Sequence, residues 1–430
     1  MSLLRTSLLN GIVVAVRIGS ALALNKIFAV LVGPSGYAAI GQFQNAVTVA
    51  ISLSSAGISS GVTRETAAFA DNPRKQIGIW RTAFTIATIL SAVIGAAIGL
   101  FSSSLASWLL DSPDSSYVFI CLAFLLPAII SNNILLAIIN GKKDVSLYVK
   151  ANILGSVVVL ILAATLTLAF GLNGGLTAFA VSPAVALVGT VFMLRKKAWF
   201  KYSSLFGKSD RNARTQLLRF GMMGLAGAVS MPLASILIRQ HITETLGLEA
   251  AGYWQAVWRI SEVYLMLITT TLSLYFLPRL GEISLAGELK AEIRRLYVFV
   301  IPVVVGSALL IFLLRDFIIH ILFTQDFLPI RDLFFWQLVG DALKIGSWVL
   351  GYVLLGRTMV KAYVFAELIF SASFFGLVVW LVGPFGLQGV AVAYTVNYFF
   401  YWIYVAVMTR REIHRMALVK PAVARSGAAE

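Results

Sequence analysis

Residues 170–174 are Phe-Gly-Leu-Asn-Gly, and residues 385–389 are Phe-Gly-Leu-Gln-Gly. The two stretches are 215 residues apart, and other residues match at the same offset on both sides of them. These further pairs are Gly141 and Gly356, Tyr148 and Tyr363, Ala151 and Ala366, Ser156 and Ser371, Ala178 and Ala393, and Val181 and Val396. The chain therefore consists of two equivalent halves.

The composition indicates that lipid surrounds most of both halves. Of the 430 residues, 59% are hydrophobic and only 12% are charged, whereas about a quarter of the residues in a soluble globular protein are charged. Apolar stretches of about 20 residues, the length that crosses a hydrocarbon core, recur along the chain. The single cysteine, Cys121, excludes an intrachain disulfide and a cysteine-based metal or redox site.

Apolar runs between charged or Gly/Pro breaks predict twelve membrane spans. The first run carries Arg17 and Lys26 and lacks a small-residue cleavage site, so we expect a retained span and not a signal peptide. Approximate limits are 10–32, 38–63, 78–103, 117–139, 148–170, 175–194, 217–240, 252–277, 296–314, 332–355, 362–383 and 387–409.

The net charge of +15 is distributed unevenly between the two sides that these spans define. Of the 34 basic residues, 27 lie on the side of the N-terminus, and Arg239, Arg315 and Arg331 lie on the other. Because basic loops stay in the cytoplasm, both termini are predicted to be cytoplasmic. The basic excess is thus explained by topology, and no nucleic-acid partner is expected.

The predicted fold class is an all-α integral membrane protein, with twelve transmembrane helices in two six-helix lobes. Six is an even number, so both lobes enter from the cytoplasm and the repeat is parallel. The proposed boundaries are 1–210 and 211–415 for the lobes and 416–430 for a short cytoplasmic tail. Such repeats are typical of alternating-access transporters, although an ancient duplication in a structural protein is the alternative.

Seven ionisable residues lie within predicted spans, where an unpaired charge is costly. The basic ones are Arg17, Lys26, Arg259 and Lys344, and the acidic ones are Glu262, Asp341 and Glu367. Basic side chains at several depths suit an anionic group that crosses the whole membrane, so Arg17, Lys26 and Arg259 are candidate ligands of such a group. Alternatively, Arg17 pairs with a carbonyl or carboxylate of the bundle, and Lys26 extends to the interface.

Two pairs of these residues are three positions apart, so each pair shares one helix face. The pairs are Arg259 with Glu262 and Asp341 with Lys344. Local neutralisation is one interpretation, and the more natural one for Asp341 and Lys344. The other makes Glu262, Asp341, Lys344 and Glu367 a site that couples transport to a proton or sodium ion.

Amide side chains form a third group of polar residues within the spans. Gln44, Asn45 and Gln255 are candidates for binding sugar hydroxyls, although amides more often hydrogen-bond helix to helix. The other amides in spans are Gln42, Asn132, Asn133, Asn152 and Asn397.

Enzymatic motifs do not occur in a fitting setting. The sequence has no HExxH motif and no P-loop, and no Gly-rich Rossmann signature lies between a strand and a helix. We therefore expect no catalytic residues, no metal site and no cofactor.

Several longer strings identify a family. They are Gly33-Pro34-Ser35-Gly36, Gly57–Thr63, Asp71-Asn72-Pro73, Tyr253-Trp254-Gln255, Leu314-Arg315-Asp316-Phe317, Arg331-Asp332-Leu333-Phe334, Trp336–Asp341 and Leu343-Lys344. On these residues the chain resembles, over nearly its full length, the Wzx-type flippases of the multidrug/oligosaccharidyl-lipid/polysaccharide (MOP) exporter superfamily. That family serves O-antigen, lipopolysaccharide and enterobacterial common antigen synthesis.

The resemblance implies movement of undecaprenyl-diphosphate-linked oligosaccharide from the cytoplasmic to the periplasmic leaflet of the bacterial inner membrane. It also implies ionisable residues at Arg17, Lys26, Glu262, Asp341, Lys344 and Glu367, whereas a relative lacks a charge at Arg259. Expected partners are the lipid-linked glycan, membrane lipid, and a polysaccharide polymerase with its chain-length regulator. The alternatives are an ion-coupled drug exporter of the MATE type, with an acid-dominated interior, and a non-transporting scaffold.

Overall fold

A computed structural model describes the backbone of residues 3–426. It describes side chains from 11 to 418, except at positions 212, 216, 219, 220, 222, 223, 271, 274, 277 and 278. The regular structure of this part is helical, with three short 3-10 segments at Pro113–Ser115, Tyr202–Ser204 and Gln325–Leu333. The α-helices are α1 (Leu3–Ser55), α2 (Ser59–Ala68), α3 (Pro73–Leu100), α4 (Ser102–Leu110), α5 (Ser116–Gly141), α6 (Val145–Leu194), α7 (Arg211–Leu246), α8 (Leu248–Glu282), α9 (Ala286–Leu313), α10 (Arg315–Leu322), α11 (Phe334–Gly356), α12 (Val360–Phe385) and α13 (Gln388–Ser426).

Nine helical stretches within the described part are long and apolar enough to cross a membrane. Two of them, in α1 and α6, bend at glycines with non-helical backbone angles, Gly33 and Gly171, and each contains two of the predicted spans. The remaining predicted span corresponds to α8, a helix of 35 residues that carries Arg259 and Glu262. The predicted spans are thus mainly helical, although a turn at residues 56–58 divides the span predicted at 38–63 between α1 and α2.

The chain divides into two compact units, Met1–Gln240 and His241–Glu430. By this division most of α7 groups with the first unit, whereas the sequence repeat placed the boundary at 210/211; that boundary remains a prediction. The proposed tail, 416–430, lies partly outside the described residues, and α13 continues helically to Ser426. The side chains of Arg5, Arg219, Lys420 and Arg425, which entered the topology prediction, also lie outside the described part.

The repeated Phe-Gly-Leu-x-Gly stretch forms the same turn in both units. Gly171 has φ of 58° and Gly386 has φ of 56°, a left-handed conformation that a side chain disfavours. The second glycine of each stretch lies against backbone: a Cβ on Gly174 would collide with the Leu166 carbonyl, and one on Gly389 with the Leu381 carbonyl. The motif therefore makes a sharp turn and then a close helix–helix contact.

A second turn also repeats, although its residues differ between the units. Lys143 and Thr358 both have positive φ, 56° and 52°. Asp144 N donates to Ile139 O, and at the equivalent position Met359 N donates to Leu354 O. The two units thus share backbone geometry where their side chains have diverged.

Each unit has an apolar interior of its own. In the first unit, the rings of Phe43 and Phe119 meet edge to face at 5.3 Å. In the second, Trp258 lies 5.4 Å from Tyr394. The first contact packs α1 against α5, and the second packs α8 against α13.

Candidate functional site

Arg17 lies on α1 of the first unit, and its only partner in the described part of the chain is neutral. Its Nη2 donates to Asn152 Oδ1 of α6 at 2.5 Å, and Asn152 Nδ2 donates to the Tyr148 carbonyl at 2.8 Å. The Arg17 side chain is exposed, and no carboxylate of the described residues lies within ion-pair distance of it. No ion pair with a described residue therefore neutralises the predicted cation.

The amide residues of α1 divide into buried and accessible ones. Gln42 is buried, accepts from Arg239 Nη1 at 2.6 Å and donates to the Ile236 carbonyl, so it links α1 to α7. Gln44 and Asn45 are partly exposed and stay candidates for sugar contacts. In the second unit, Gln255 is buried, with 5% of its surface exposed.

Lys26 lies further along α1 than Arg17 and is also partly exposed. Its neighbour Asn25 is buried and accepts from the Tyr37 hydroxyl at 2.8 Å. This bond spans the bend at Gly33 and ties together the two halves of α1. It holds the backbone at Lys26 in place.

Asp341 of α11 is fully buried in the second unit and accepts hydrogen bonds from three hydroxyl groups. Ser261 and Tyr264 of α8 donate to its Oδ2 at 2.6 and 2.8 Å, and Tyr394 of α13 donates to Oδ1 at 2.9 Å. Gln337 Nε2 donates in turn to Ser261 Oγ at 3.2 Å. These donors stabilise a charge that burial would otherwise penalise.

Lys344 lies one turn further along α11 and faces aromatic rings. Its Nζ is 5.2 Å from the ring centres of Trp258 and Trp348, 5.7 Å from Tyr394 and 5.5 Å from Tyr398. Ring faces attract a cation, most strongly where water is excluded. Asp341 and Lys344 form no direct ion pair, and Lys344 is attracted to Asp341, Glu262 and Glu367 over longer distances.

The predicted pairing of Arg259 with Glu262 is confirmed. Arg259 Nη1 lies 2.9 Å from Glu262 Oε2, and Trp258 Nε1 donates to Glu262 Oε1 at 3.0 Å. Trp258 thereby connects this pair to Lys344. Glu367 of α12, which is partly buried, also acts on Lys344, so the charges of three acids are directed at this one cation.

The sequence prediction missed the hydroxyl groups and rings that hold Asp341 and Lys344. Ser261 and Tyr264 could have been noticed in the sequence, because they lie two and five residues beyond Arg259 on the helix that also carries Glu262. Nothing in the sequence marks Tyr394 and Tyr398, because tyrosines are common in membrane spans. They act on residues of α11, which lie about 50 positions earlier in the sequence.

Comparison with known proteins identifies the family. Residues 27–332 match the family described as polysaccharide biosynthesis protein. The lipid III flippases of Escherichia coli (strain K12) and Shigella flexneri are each 31% identical to the chain over 402 residues, which is 94% of this chain and 97% of theirs. The chain belongs to the polysaccharide biosynthesis protein family. The resemblance found in the sequence is confirmed.

Solved structures share the fold of this member of the family. The inward-facing conformation of a multidrug resistance MATE family transporter of the MOP superfamily superimposes with a TM-score of 0.76, covering 94% of this chain and 99% of that one at 18% identity. A MOP superfamily transporter from Pyrococcus furiosus gives 0.70 at 18% identity, covering 96% of both chains. The predicted all-α fold of two six-helix lobes is confirmed.

The string that carries the resemblance to the family includes a structural ion pair. Arg331 Nε lies 2.8 Å from Asp316 Oδ1, which joins the start of α10 to the 3-10 segment Gln325–Leu333. Both side chains are about half exposed. We therefore interpret Asp316 and Arg331, which both lie in stretches that carry the family resemblance, as residues that shape the connection between α10 and α11.

Proposed function

We propose that the protein is a flippase that moves undecaprenyl-diphosphate-linked oligosaccharide, an O-antigen unit or lipid III, from the cytoplasmic to the periplasmic leaflet. Arg17 is the observation that carries the proposal, since its charge is unneutralised among the described residues and held by a neutral amide. A diphosphate supplies the missing counter-charge. The lipid III flippases that the chain resembles move a cargo of this class, as their name states.

The other contacts follow from the chemistry of the cargo. Lys26 extends the basic path along α1, and Arg259, although paired with Glu262, brings a further cation from α8. The accessible amides Gln44 and Asn45 suit the hydroxyl groups of the proximal sugars. Gln255 is a further proposed ligand of these sugars, and its buried amide would become accessible through a movement of α8.

The energy for export comes from the charge of the cargo and from ion binding in the second unit. Moving about two negative charges outward across a potential of about 100 mV releases about 4–5 kcal/mol. Asp341, with Lys344, Glu262 and Glu367 around it, is the proposed site for a coupling proton or sodium ion. Its three hydroxyl donors are groups that also bind a cation through oxygen once they reorient.

The membrane setting follows from the same cargo. The protein lies in the bacterial inner membrane with both termini in the cytoplasm, where the glycan is assembled on its lipid. A polysaccharide polymerase and its chain-length regulator are the proposed partners, because they use the translocated unit. The polytopic membrane location itself agrees with the nine apolar helices of the described part.

Gene deletion followed by lipid analysis tests the proposed function. Loss of the protein should accumulate complete lipid-linked glycan that faces the cytoplasm and is protected from reagents added outside. Accumulation of unpolymerised units on the outer face would contradict the proposal and indicate a polymerase or ligase defect. Raised sensitivity to cationic drugs with normal glycan lipids would favour the drug exporter.

A further inference from the structure

A basic groove lies between the start of α9 and the end of α13 in the second unit, away from the ionisable cluster around Lys344. It has a volume of about 550 Å³ and is lined in part by Lys290, Ile293, Ala406, Thr409, Arg410 and His414. A volume of this size holds a small-molecule ligand. Lys290 is shared with an adjoining hollow of about 460 Å³ on α9, which Arg294, Arg295 and Val298 also line. The two hollows together are called the basic groove.

The cations of the groove are available to a ligand. Lys290, Arg294 and Arg410 are exposed, and none of them forms an ion pair within the described part of the chain. The two nearest buried carboxylates are already engaged: Glu292 accepts from the Tyr275 hydroxyl, and Glu412 pairs with Arg415. In residues 286–298 and 406–417 there are six basic residues and three acidic ones, so the groove carries an excess of positive charge.

Thr409 provides an independent sign of a ligand. Its residue is 3% exposed, and its Oγ1 has no hydrogen-bond partner among the residues that the structure describes. Buried hydroxyl groups in native proteins nearly always have a partner, such as a protein group, water or a ligand. This hydroxyl belongs to a residue that lines the groove between Lys290 and Arg410.

The surface next to the groove is apolar and is formed by the membrane-spanning part of α9. Val298 and Phe299 of α9 are more than half exposed, and both lie where the helix continues from its basic start into the membrane span. Acyl chains would lie along this surface while a headgroup reaches the groove. A soluble anion would leave the apolar part unused.

We propose that the basic groove binds the phosphate of an anionic phospholipid in the leaflet at the predicted cytoplasmic face. Lys290, Arg294 and Arg410 supply the charge, and the Thr409 hydroxyl donates to a phosphate oxygen. Basic pockets between transmembrane helices at this face suit anionic headgroups. The site is separate from the proposed cargo path, and its test needs no transport.

Lipid titration of the full-length protein tests the assignment. Delipidated protein in detergent is titrated with palmitoyl-oleoyl phosphatidylglycerol or, as the zwitterionic probe, palmitoyl-oleoyl phosphatidylethanolamine, and bound lipids are counted by native mass spectrometry. We expect tight binding of phosphatidylglycerol alone. The triple variant Lys290→Gln, Arg294→Gln, Arg410→Gln should weaken it about 100-fold, since each basic residue near a lipid surface contributes about fivefold.

Matched variants separate the groove from general surface charge. Arg195→Gln, Lys201→Gln and Lys208→Gln together remove the same charge from exposed positions in the first unit and should leave the affinity unchanged. The charge-retaining variant Lys290→Arg, Arg294→Lys, Arg410→Lys should restore most of it, and Thr409→Val should lower it severalfold. Arg410→Gln alone, with about a fivefold loss, serves if the triple variant unfolds.

Three results would overturn the proposal. One is an equal loss of affinity in the first-unit control. Another is displacement of phosphatidylglycerol by excess inorganic phosphate, which would indicate a site for soluble anions. The third is displacement by equimolar undecaprenyl diphosphate, which would assign the groove to the entry of cargo.

Discussion

Arg17 and Asp341 are held within membrane-spanning helices in opposite ways. Asp341 is buried and surrounded by three hydroxyl donors, whereas Arg17 is exposed and shares one hydrogen bond with an amide. Donors that surround a carboxylate on all sides fix it in place. A cation with a single neutral partner stays available for an incoming anion.

Changing the charge at Arg17 should therefore change transport more than folding. Arg17→Gln should lower lipid-linked glycan translocation at least tenfold, because removing a charge-assisted bond to phosphate costs about 1.5–3 kcal/mol. Arg17→Lys should retain part of the activity. The measurement is the outward movement of a labelled undecaprenyl-diphosphate glycan in proteoliposomes.

Asn152→Asp provides the complementary test, since it leaves Arg17 in place and gives it an acidic partner. We expect translocation to fall to a similar extent while thermal stability is unchanged or slightly raised. Normal transport in both Arg17→Gln and Asn152→Asp would remove Arg17 from the proposed path.

Asp144, in the loop before α6, is expected to act on stability alone. It accepts from the Leu147 amide as the helix cap and pairs with Lys197. Partial burial tends to raise the pKa of Asp144, but the hydrogen bonds from Lys197 and Leu147 outweigh it and lower the pKa below its usual 3.8. Its stabilisation is thus complete above about pH 5 and is lost as the pH falls through the unfolded value of 3.8 towards the lowered pKa.

Asp144→Ala should lower the free energy of unfolding by about 1 kcal/mol through loss of the cap. Thermal unfolding in detergent should show the same difference from the wild type at pH 5 and at pH 7. Lys197→Gln, which keeps the cap, should cost less, because its partly exposed ion pair is worth at most about 1 kcal/mol. A difference that disappears at pH 5 would contradict the lowered pKa.

At the scale of the elements, the two units repeat the backbone more faithfully than the side chains. Gly171 and Gly386 turn the chain with nearly equal angles, and Lys143 and Thr358 do so although neither is a glycine. In a membrane the backbone polar groups must be satisfied within the protein, so the path of the chain between spans is strongly constrained.

Gly174 and Gly389 are predicted to be the least replaceable glycines of this turn. An alanine at either position would place its Cβ against a backbone carbonyl that has no freedom to move away. We expect Gly174→Ala and Gly389→Ala each to destabilise the protein by about 2 kcal/mol or more, as overpacking does. Fluorescence-detected thermal unfolding of the purified variants measures the loss.

Gly383→Ala is the matched control, because it adds the same methyl group within α12 where no atom lies within 4 Å of the new Cβ. It should be neutral or slightly stabilising, as alanine favours the helix. Equal behaviour of Gly383→Ala and Gly389→Ala would show that the close contact does not limit stability.

The sequence predicted those features that depend on residues close together in the chain. The apolar runs predicted all twelve spans, and the spacing of three predicted the contact between Arg259 and Glu262. The same spacing in Asp341 and Lys344 gave no ion pair, because hydroxyls and rings from α8 and α13 take both side chains in other directions. Such contacts depend on the packing of distant helices, which periodicity does not report.

At the scale of the whole molecule, the proposed roles fall in different halves of the sequence. The unneutralised cation lies in the first unit, and the cluster of acids around Lys344 lies in the second. A parallel repeat begins with two equivalent sites, so this difference reflects divergence after duplication. In the proposed function, the principal cargo cation and the coupling site therefore lie in different units, while Arg259 and Gln255 of the second unit also contact the cargo.

Replacing Asp341 should consequently alter coupling and leave cargo affinity intact. In proteoliposomes, Asp341→Asn should abolish the response of the translocation rate to an imposed proton or sodium gradient. The affinity for the lipid-linked glycan should stay within about twofold of the wild type, since the hydrogen bonds of Asp341 run to Ser261, Tyr264 and Tyr394, none of which is a proposed cargo ligand.

Ser107→Ala, at an exposed position in the first unit, serves as the control and should respond to the gradient as the wild type does. A wild-type rate that is independent of both gradients would remove the coupling proposal. Export would then be driven by the membrane potential alone.

The bond between Arg17 and Asn152 has a consequence for the time that a cargo stays bound. When an anion binds, the Arg17 guanidinium loses one hydrogen bond to an amide and no salt bridge. The free-energy cost of freeing the cation is therefore small. When the anion leaves, the amide is still in place to receive the guanidinium, and no buried charge is stranded in the process. In the proposed role, an anion bound at Arg17 therefore dissociates faster than it would from a cation that has no replacement partner. Fast dissociation suits a transporter that must release its cargo in every cycle.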